Sequence, residues 1–304
     1  MPPIPFAAFA SDCWDLYRGP RYSPATTRKI DQIFIELGKL GVRSTADLTT
    51  QLVTDYVSER MLRVSVNAVR GEMTYLKALI HYAYDEGFVP SIPHWKRSQP
   101  RRAPTTRPMI HSIDELRRVL DYLRARTGTW DGARVYTLAS FLLHTGCRRN
   151  ETLLGHLDDL DLDTGLYEVV ARTRLKTERS ARLVPLPPDL VEDLRRWMPQ
   201  AASVWLFPNL SRTGPWVSGA PGRRPTERLR AAGDAVGVAG LTCQSMRHCY
   251  ATWGRRRFGI DSLTMRDVLG HTSERTHWDY YLGDEERHAL VAAVRGVSYR
   301  PNPA

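Results

Sequence analysis

The sequence predicts a mainly α-helical chain of two domains, with one small antiparallel β-sheet in the second. Three observations predict it. Apolar residues recur at helical spacing through residues 9–90. Residues 90–108, PSIPHWKRSQPRRAPTTRP, then break the pattern with five prolines. Beyond them, Leu160–Leu186 carries a turn signal followed by two short strand-like runs.

The first helix is expected over Ser23 to Leu40, where Ile30, Ile33, Phe34 and Leu37 form one apolar face and Gly41 stops it. Leu48 to Leu62 is a second, shorter helical region. Asn67 to Tyr84 is a third, with Met73, Leu76, Leu79, Ile80 and Tyr84 in phase. No alternating strand pattern interrupts these helices, so residues 1–92 are expected to form one helical domain. About eight residues precede its helices at 9–90, so an additional small domain ahead of them is not expected. The proline-rich stretch suits neither a helix nor a central strand, so residues 93–109 are expected to be an extended linker. Lys96, Arg97, Arg101, Arg102 and Arg107 make that linker a positive path. It is either a solvated tether or a strap along a nucleic-acid backbone.

The second domain is expected over residues 110–304. Ser112 and Glu115 have capping-box spacing and open a helix through about Leu123. A more buried helix is centred on Tyr136–Leu143 and ends at Gly146. Asp163-Thr164-Gly165 is the turn, with strands at Leu166–Ala171 and Arg182–Leu186. Helices resume at Pro188–Trp197, Thr226–Val236, Ser245–Phe258, Asp261–Leu269, Thr276–Tyr281 and Glu285–Val294. The last of these, with Leu290, Val291, Val294 and Val297, packs either on its own domain or on a neighbour.

Composition narrows the function. A formal charge of +10 over 304 residues favours a polyanionic partner, nucleic acid or an acidic membrane. No run of about 18 apolar residues is present, which argues against a membrane span. The N-terminus lacks the basic segment of an export signal. Cys13, Cys147, Cys243 and Cys249 lie at irregular, mostly distant spacings, which fits neither a zinc knuckle nor a disulfide framework, so a reducing cytoplasm is expected. Neither G-x-x-x-x-G-K-[ST] nor G-x-G-x-x-G occurs, so no nucleotide cofactor is indicated.

Four segments carry candidate chemistry. In TGCRRNE, Thr145–Glu151, Gly146 closes a helix and Asn150 can cap the next. Arg148 and Arg149 then lie near a helix N-terminus, unfavourable for cations unless an anion joins them. A phosphate would serve, since its oxygens match the guanidinium fork. Glu151 would equally serve in a structural ion pair. Along the hairpin, Arg172, Arg174, Lys176, Arg179 and Arg182 face only Glu178, which is either a wet surface or a lysine presented to a ligand. In LTCQSMRHCYATWG, Leu241–Gly254, Arg247 and His248 begin a helix whose buried side is Met246, Tyr250 and Trp253. In LGHTSERTHWDYY, Leu269–Tyr281, Gly270 leaves His271 on a turn, with Tyr280 and Tyr281 on the following helix.

In this order, the four segments resemble the catalytic domain of the tyrosine recombinase, or phage integrase, family. Arg148 resembles the first arginine of T-G-x-R-x-x-E, Lys176 the lysine of the family's β-hairpin, and Arg247 with His248 the end of its H-x-x-R-H box. His271 matches the histidine-or-tryptophan position, and Tyr280, nine residues on, has the spacing of the nucleophile. The resemblance covers roughly residues 110–295, and the helical region at about 9–90 looks like the family's core-binding domain. It implies a site-specific recombinase acting on double-stranded DNA, as a tetramer in the synapse, of a chromosome-dimer resolving or mobile-element type. Arg148 and Arg247 would clamp the phosphate, His271 would donate a further hydrogen bond, and Tyr280 would form a 3′-phosphotyrosyl link. Lys176 would protonate the leaving 5′-oxygen. The link conserves the phosphodiester, so neither metal nor cofactor is required. Lys96, Arg97, Arg101, Arg102, Arg149, Arg172, Arg174, Arg179 and His248 are the candidate DNA contacts.

Gln244 departs from the family, which usually has histidine there. Its amide can position a phosphate oxygen but cannot relay a proton. Two rival readings follow: a DNA-binding protein of the same fold that has lost strand exchange, and a relaxing enzyme resembling type IB topoisomerases.

Overall fold

A computed structural model describes residues 2–14, 22–95, 99–102, 109–170, 181–270 and 284–300. The chain divides into two compact units, Met1–Thr106 and Arg107–Ala304.

The first unit is helical. Helices α1 (Pro24–Lys39), α2 (Thr50–Met61) and α3 (Val66–Asp85) each begin at a hydroxyl cap. Ser23, Thr49 and Ser65 accept the backbone N–H three residues on, satisfying donors that a helix start leaves unpaired. Ile30, Ile33 and Leu37 of α1 meet Val53 and Tyr56 of α2 and Met73, Leu76, Leu79 and Ile80 of α3 in one core. Tyr84 is exposed instead of continuing the α3 stripe, and Ala83 is the buried residue at that end. An N-terminal segment with no helical signal in the sequence completes this core. Phe6 packs edge-on to Phe34 at 5.6 Å, and Phe9 to Phe88 at 5.9 Å. The start of the proline-rich stretch lies along the same unit. The His94 N–H donates to Thr50 Oγ1 at 3.1 Å, Trp95 lies under the Lys77 ammonium, and Arg70 donates to the Pro100 carbonyl at 2.6 Å.

The second unit is built around α5 (Trp130–Thr145), in which every residue from Gly132 to Thr145 is buried. Such a helix cannot show a one-sided stripe, because it has neighbours all round. Helices α4 (Ile113–Arg124), α7 (Pro188–Ala201) and α9 (Cys243–Arg256) pack against it. Short α6 (Arg149–Leu153) follows it in the chain; α8 (Pro225–Asp234), α10 (Ser262–Leu269) and α11 (Asp284–Val294) complete the helices.

The sheet has three antiparallel strands in the order β1 (Leu160–Asp161), β2 (Leu166–Val169) and β3 (Arg182–Pro185). Tyr167 pairs with both Leu160 and Val184, and Arg182 faces Val169. The two-residue β1 carries too little pattern to be foreseen. At the C-terminal end, Val294, Val297 and Tyr299 are buried in this unit's own core, and Arg300 ion-pairs with Asp189, Glu192 and Asp193 of α7. Val294 and Val297 thus pack within their own unit, one of the two expected placements. No helix among the described residues is long and apolar enough to cross a membrane.

Candidate active site

Two helix ends and three arginines define the site. A helix leaves its last carbonyls unpaired, and its C-terminus carries partial negative charge. At the end of α10 those carbonyls are each taken by a guanidinium. Arg182 Nε donates to Val268 O at 2.6 Å, Arg247 Nη2 to Leu269 O at 2.6 Å, and Arg148 Nη2 to Gly270 O at 2.9 Å. Arg247 Nη1 also donates to Gly146 O, past the end of α5, at 2.6 Å. Arg247 therefore ties the two helix ends together.

Glycine at both ends has a steric cause. Gly146 has φ +61°, and a Cβ there would fall 2.3 Å from Tyr250 Cδ1. Gly270 has φ +62°, with Arg182 Nη1 3.1 Å from where its Cβ would be. The expectation that Asn150 caps α6 is corrected. The cap position is Arg148, and Asn150 lies in the first turn. The Glu151 carboxylate supplies the capping contact, reaching back to the Arg148 N–H at 2.7 Å.

Glu151 is 4 % exposed and is the acidic member of the cluster. Burial alone would raise its carboxyl pKa. The hydrogen bonds and charge of Arg182, then the Arg148 backbone N–H and guanidinium, outweigh that and hold it at about 2. Arg182 reaches both oxygens, at 3.1 and 2.9 Å, and Arg148 Nη1 reaches Oε1 at 2.7 Å. Burial, then the charge of Arg148, pull Arg247 down to about 10, still cationic at neutral pH. Three arginines against one glutamate leave a surplus of positive charge among the described residues. Arg148, with its side chain 40 % exposed, presents it to solvent. Oxyanions that offer two acceptor oxygens side by side suit such a surface.

Gln244 and His248 stand one turn apart on α9, and their Nε2 atoms are 3.2 Å apart. Burial, then Arg247, lower the His248 pKa, which favours the neutral imidazole that can accept from the Gln244 amide. The buried side of α9 holds Met246 and Tyr250, and Trp253 Nε1 donates to His111 O at 2.7 Å. The helix begins at Cys243, not Ser245, because Thr242 is its cap.

The structure thus brings Arg148, Arg247 and Glu151 together, with Gln244 and His248 on the helix that carries Arg247. Arg149 instead points away and donates to Val217 O at 2.7 Å. Arg101 and Arg102 are exposed in the first unit. Lys96, Arg97, Arg172, Arg174, Lys176, Arg179, His271 and Tyr280 lie outside the described residues. Arg182 is the member the sequence reading did not single out. A signal for it was present. Arg182, Val184 and Leu186 share one face of a strand, and that face is apolar beyond the arginine, so its guanidinium enters the core side.

The sequence pattern of the phage integrase family matches residues 111–288. The tyrosine recombinase XerD of Bifidobacterium longum is 29% identical over 193 residues, 57% of each chain. The chain spans little more than half the length of the curated relatives it matches. Among solved structures, a lambda integrase dimer bound to a COC′ core site superposes with a TM-score of 0.68 at 14% identity, over 95% of this chain and 77% of that one. The Tn1549 transposon integrase in complex with transposon right-end DNA gives 0.67 at 14% identity, over 88% and 91%. These two likenesses concern the fold.

Proposed function

We propose that this chain, which belongs to the phage integrase family, is a site-specific DNA recombinase that cleaves and rejoins strands through a covalent link to Tyr280. The observation that carries the reading is the surplus of guanidinium charge at the end of α10, with Arg148 and Arg247 on neighbouring carbonyls. A phosphodiester repels a nucleophile, and negative charge grows on its nonbridging oxygens during attack. Arginines held in place before substrate arrives stabilise that charge without reorganising.

In the proposed reaction, Tyr280 gives up its phenol proton to solvent and attacks phosphorus, the 3′-phosphotyrosyl bond forms and the bond to the 5′-oxygen breaks. Lys176 delivers the proton to that oxygen, and His271 donates a hydrogen bond to the phosphate. A 5′-hydroxyl of the partner strand reverses the step. Gln244 donates to His248 and steadies the imidazole, which takes the place of a proton relay at position 244. The DNA-contact candidates of the hairpin and linker add affinity that falls with salt. The assembly on DNA is a homo-oligomer, a tetramer in the synapse.

The test uses a nicked suicide duplex carrying the site this protein selects from a random-sequence pool. Wild type is expected to form a covalent adduct, Tyr281→Phe to retain it, and Tyr280→Phe to lose it while still binding. Site binding without any adduct would replace this reading with that of a DNA-binding protein lacking strand exchange.

A further inference from the structure

We infer that Arg182 is a positioning residue for cleavage: by sharing the Glu151 carboxylate it leaves Arg148 a net cation for the scissile phosphate. The inference rests on the function proposed above and adds a residue to it.

The geometry is a divided ion pair. Glu151 Oε1 accepts from Arg148 Nη1 at 2.7 Å and from Arg182 Nη1 at 3.1 Å. Oε2 accepts from the Arg148 N–H at 2.7 Å and from Arg182 Nη2 at 2.9 Å. Each oxygen is thus split between the two residues. The exposures differ: the Arg182 side chain is 9 % exposed and that of Glu151 5 %, against 40 % for Arg148. The buried arginine absorbs the carboxylate, and the open one faces outward.

Charge counting gives the consequence. Arg148, Arg182 and Glu151 together carry +1. Without Arg182 the remaining pair carries zero, and a buried carboxylate 2.7 Å from Arg148 Nη1 cancels it where water screens little. The third bond, Arg182 Nε to Val268 O, anchors the same guanidinium to the helix end that carries the Gly270 carbonyl held by Arg148. Its placement follows from the sheet, because Arg182 pairs with Val169 at the start of β3.

The experiment compares wild type, Arg182→Met, Arg182→Lys and the double variant Arg182→Met/Glu151→Gln on the selected nicked duplex. Two readouts are taken: single-turnover adduct formation at saturating DNA, and the slope of log binding constant against log salt. Arg182→Met is expected to slow adduct formation about 10- to 100-fold, as loss of a residue that orients a metal's ligand does in metal sites. It should also reduce the salt slope by about 0.9, one phosphate-paired cation. Glu151→Gln in that background removes the carboxylate and should restore both, which a packing brace would not do. Arg182→Lys keeps the charge and should stay near wild type in slope.

Unchanged rate and slope in Arg182→Met, or no recovery in the double variant, would overturn the inference. Should Arg182→Met fail to fold, Arg182→Gln with and without Glu151→Gln gives the same comparison. If wild type forms no adduct, the recombinase reading fails, and the salt slopes still decide whether Arg182 keeps Arg148 charged.

Discussion

Each unit buries carboxylates against arginine, and the two arrangements differ in their charge balance. In the first, Arg60 forks onto Glu72, with Nε–Oε2 at 2.9 Å and Nη2–Oε1 at 2.7 Å. Glu36 lies 3.7 Å from Nη1, held in turn by Gln32 and Lys39. Two carboxylates therefore meet one buried arginine, with Lys39 and Arg63 at the rim. At the site of the second unit, among the described residues, three arginines meet the Glu151 carboxylate and the α10 end. Arg60 and Arg247 respond in opposite directions, while Arg182, which holds Glu151, shifts upward as Arg60 does. Glu72 raises the pKa of Arg60 against the cost of burial, whereas burial and Arg148 lower that of Arg247. A buried cation with its carboxylates in place serves the architecture. One crowded by other cations, as Arg247 is by Arg148 and Arg182, feels their repulsion beside the single Glu151 carboxylate, and that separates the two arrangements.

The comparison breaks most visibly at Arg60. Arg60→Met removes the fork on half-buried Glu72, while buried Glu36 keeps Lys39 and Arg63, and is expected to cost about 3 kcal/mol of stability, the low end for breaking a buried pair. Thermal and denaturant unfolding would measure it. Cleavage per folded molecule is expected to stay near wild type, so a selective loss of cleavage would erase the contrast between the units.

Next in size is the site itself. Arg148→Ala or Arg247→Ala is expected to lower single-turnover cleavage about 100- to 1000-fold, the cost of one donor to developing charge. DNA binding should weaken far less. Equal losses in binding and cleavage would reduce both residues to ordinary phosphate grips.

A pH series sharpens the comparison at Glu151. Its carboxyl, ordinarily near 4.5, is held at about 2 in the folded chain. A depressed carboxyl pKa gives stability that is complete above the unfolded value and lost as pH falls through the folded one. The stability difference between wild type and Glu151→Gln is therefore expected to be largest above about pH 5 and to shrink toward about pH 2. A difference independent of pH over that window would remove the ionised pair from the account.

The smallest expected effect is at Gln244. Losing one exposed hydrogen bond, Gln244→Ala should slow cleavage by about fivefold to tenfold, since a typical net bond is worth about 1 kcal/mol. Gln244→His should preserve or raise the rate. Cleavage by Gln244→Ala at the full wild-type rate across about pH 6 to 9 would end the positioning role.

Much of this was legible beforehand, for local reasons. The helices of the first unit show one-sided apolar stripes because each has solvent on its other face, and their hydroxyl caps are read within three residues. Gly146, Gly165 and Gly270 mark turns that need positive φ, and all three have it. Other features had no local signal. Phe6 and Phe9 are core residues only because Phe34, Tyr82 and Phe88 come to them from distant positions. Strand β1 exists only through its pairing with β2. Asn150 looked like a cap by residue type, but the cap is set by where α5 ends, and Glu151 took the role.

By itself the sequence determined the helical character of both units, the Ser112–Glu115 capping box, the glycine stops, the strands of the small sheet, and the order of the segments bearing Arg148, Arg247 and Gln244. Those follow from spacing, backbone sterics and residue chemistry within a few positions. Only the tertiary structure decided which charges meet. Arg182 and Glu151 are 31 positions apart and Arg148 and Gly270 122 apart. Their hydrogen bonds exist because β3 and the ends of α5 and α10 converge on one core. Charge counted along the chain reveals a basic protein. Charge counted in that small volume shows a carboxylate divided between two arginines and a guanidinium left open to an anion, because electrostatic energy depends on distance and burial and not on order in the chain.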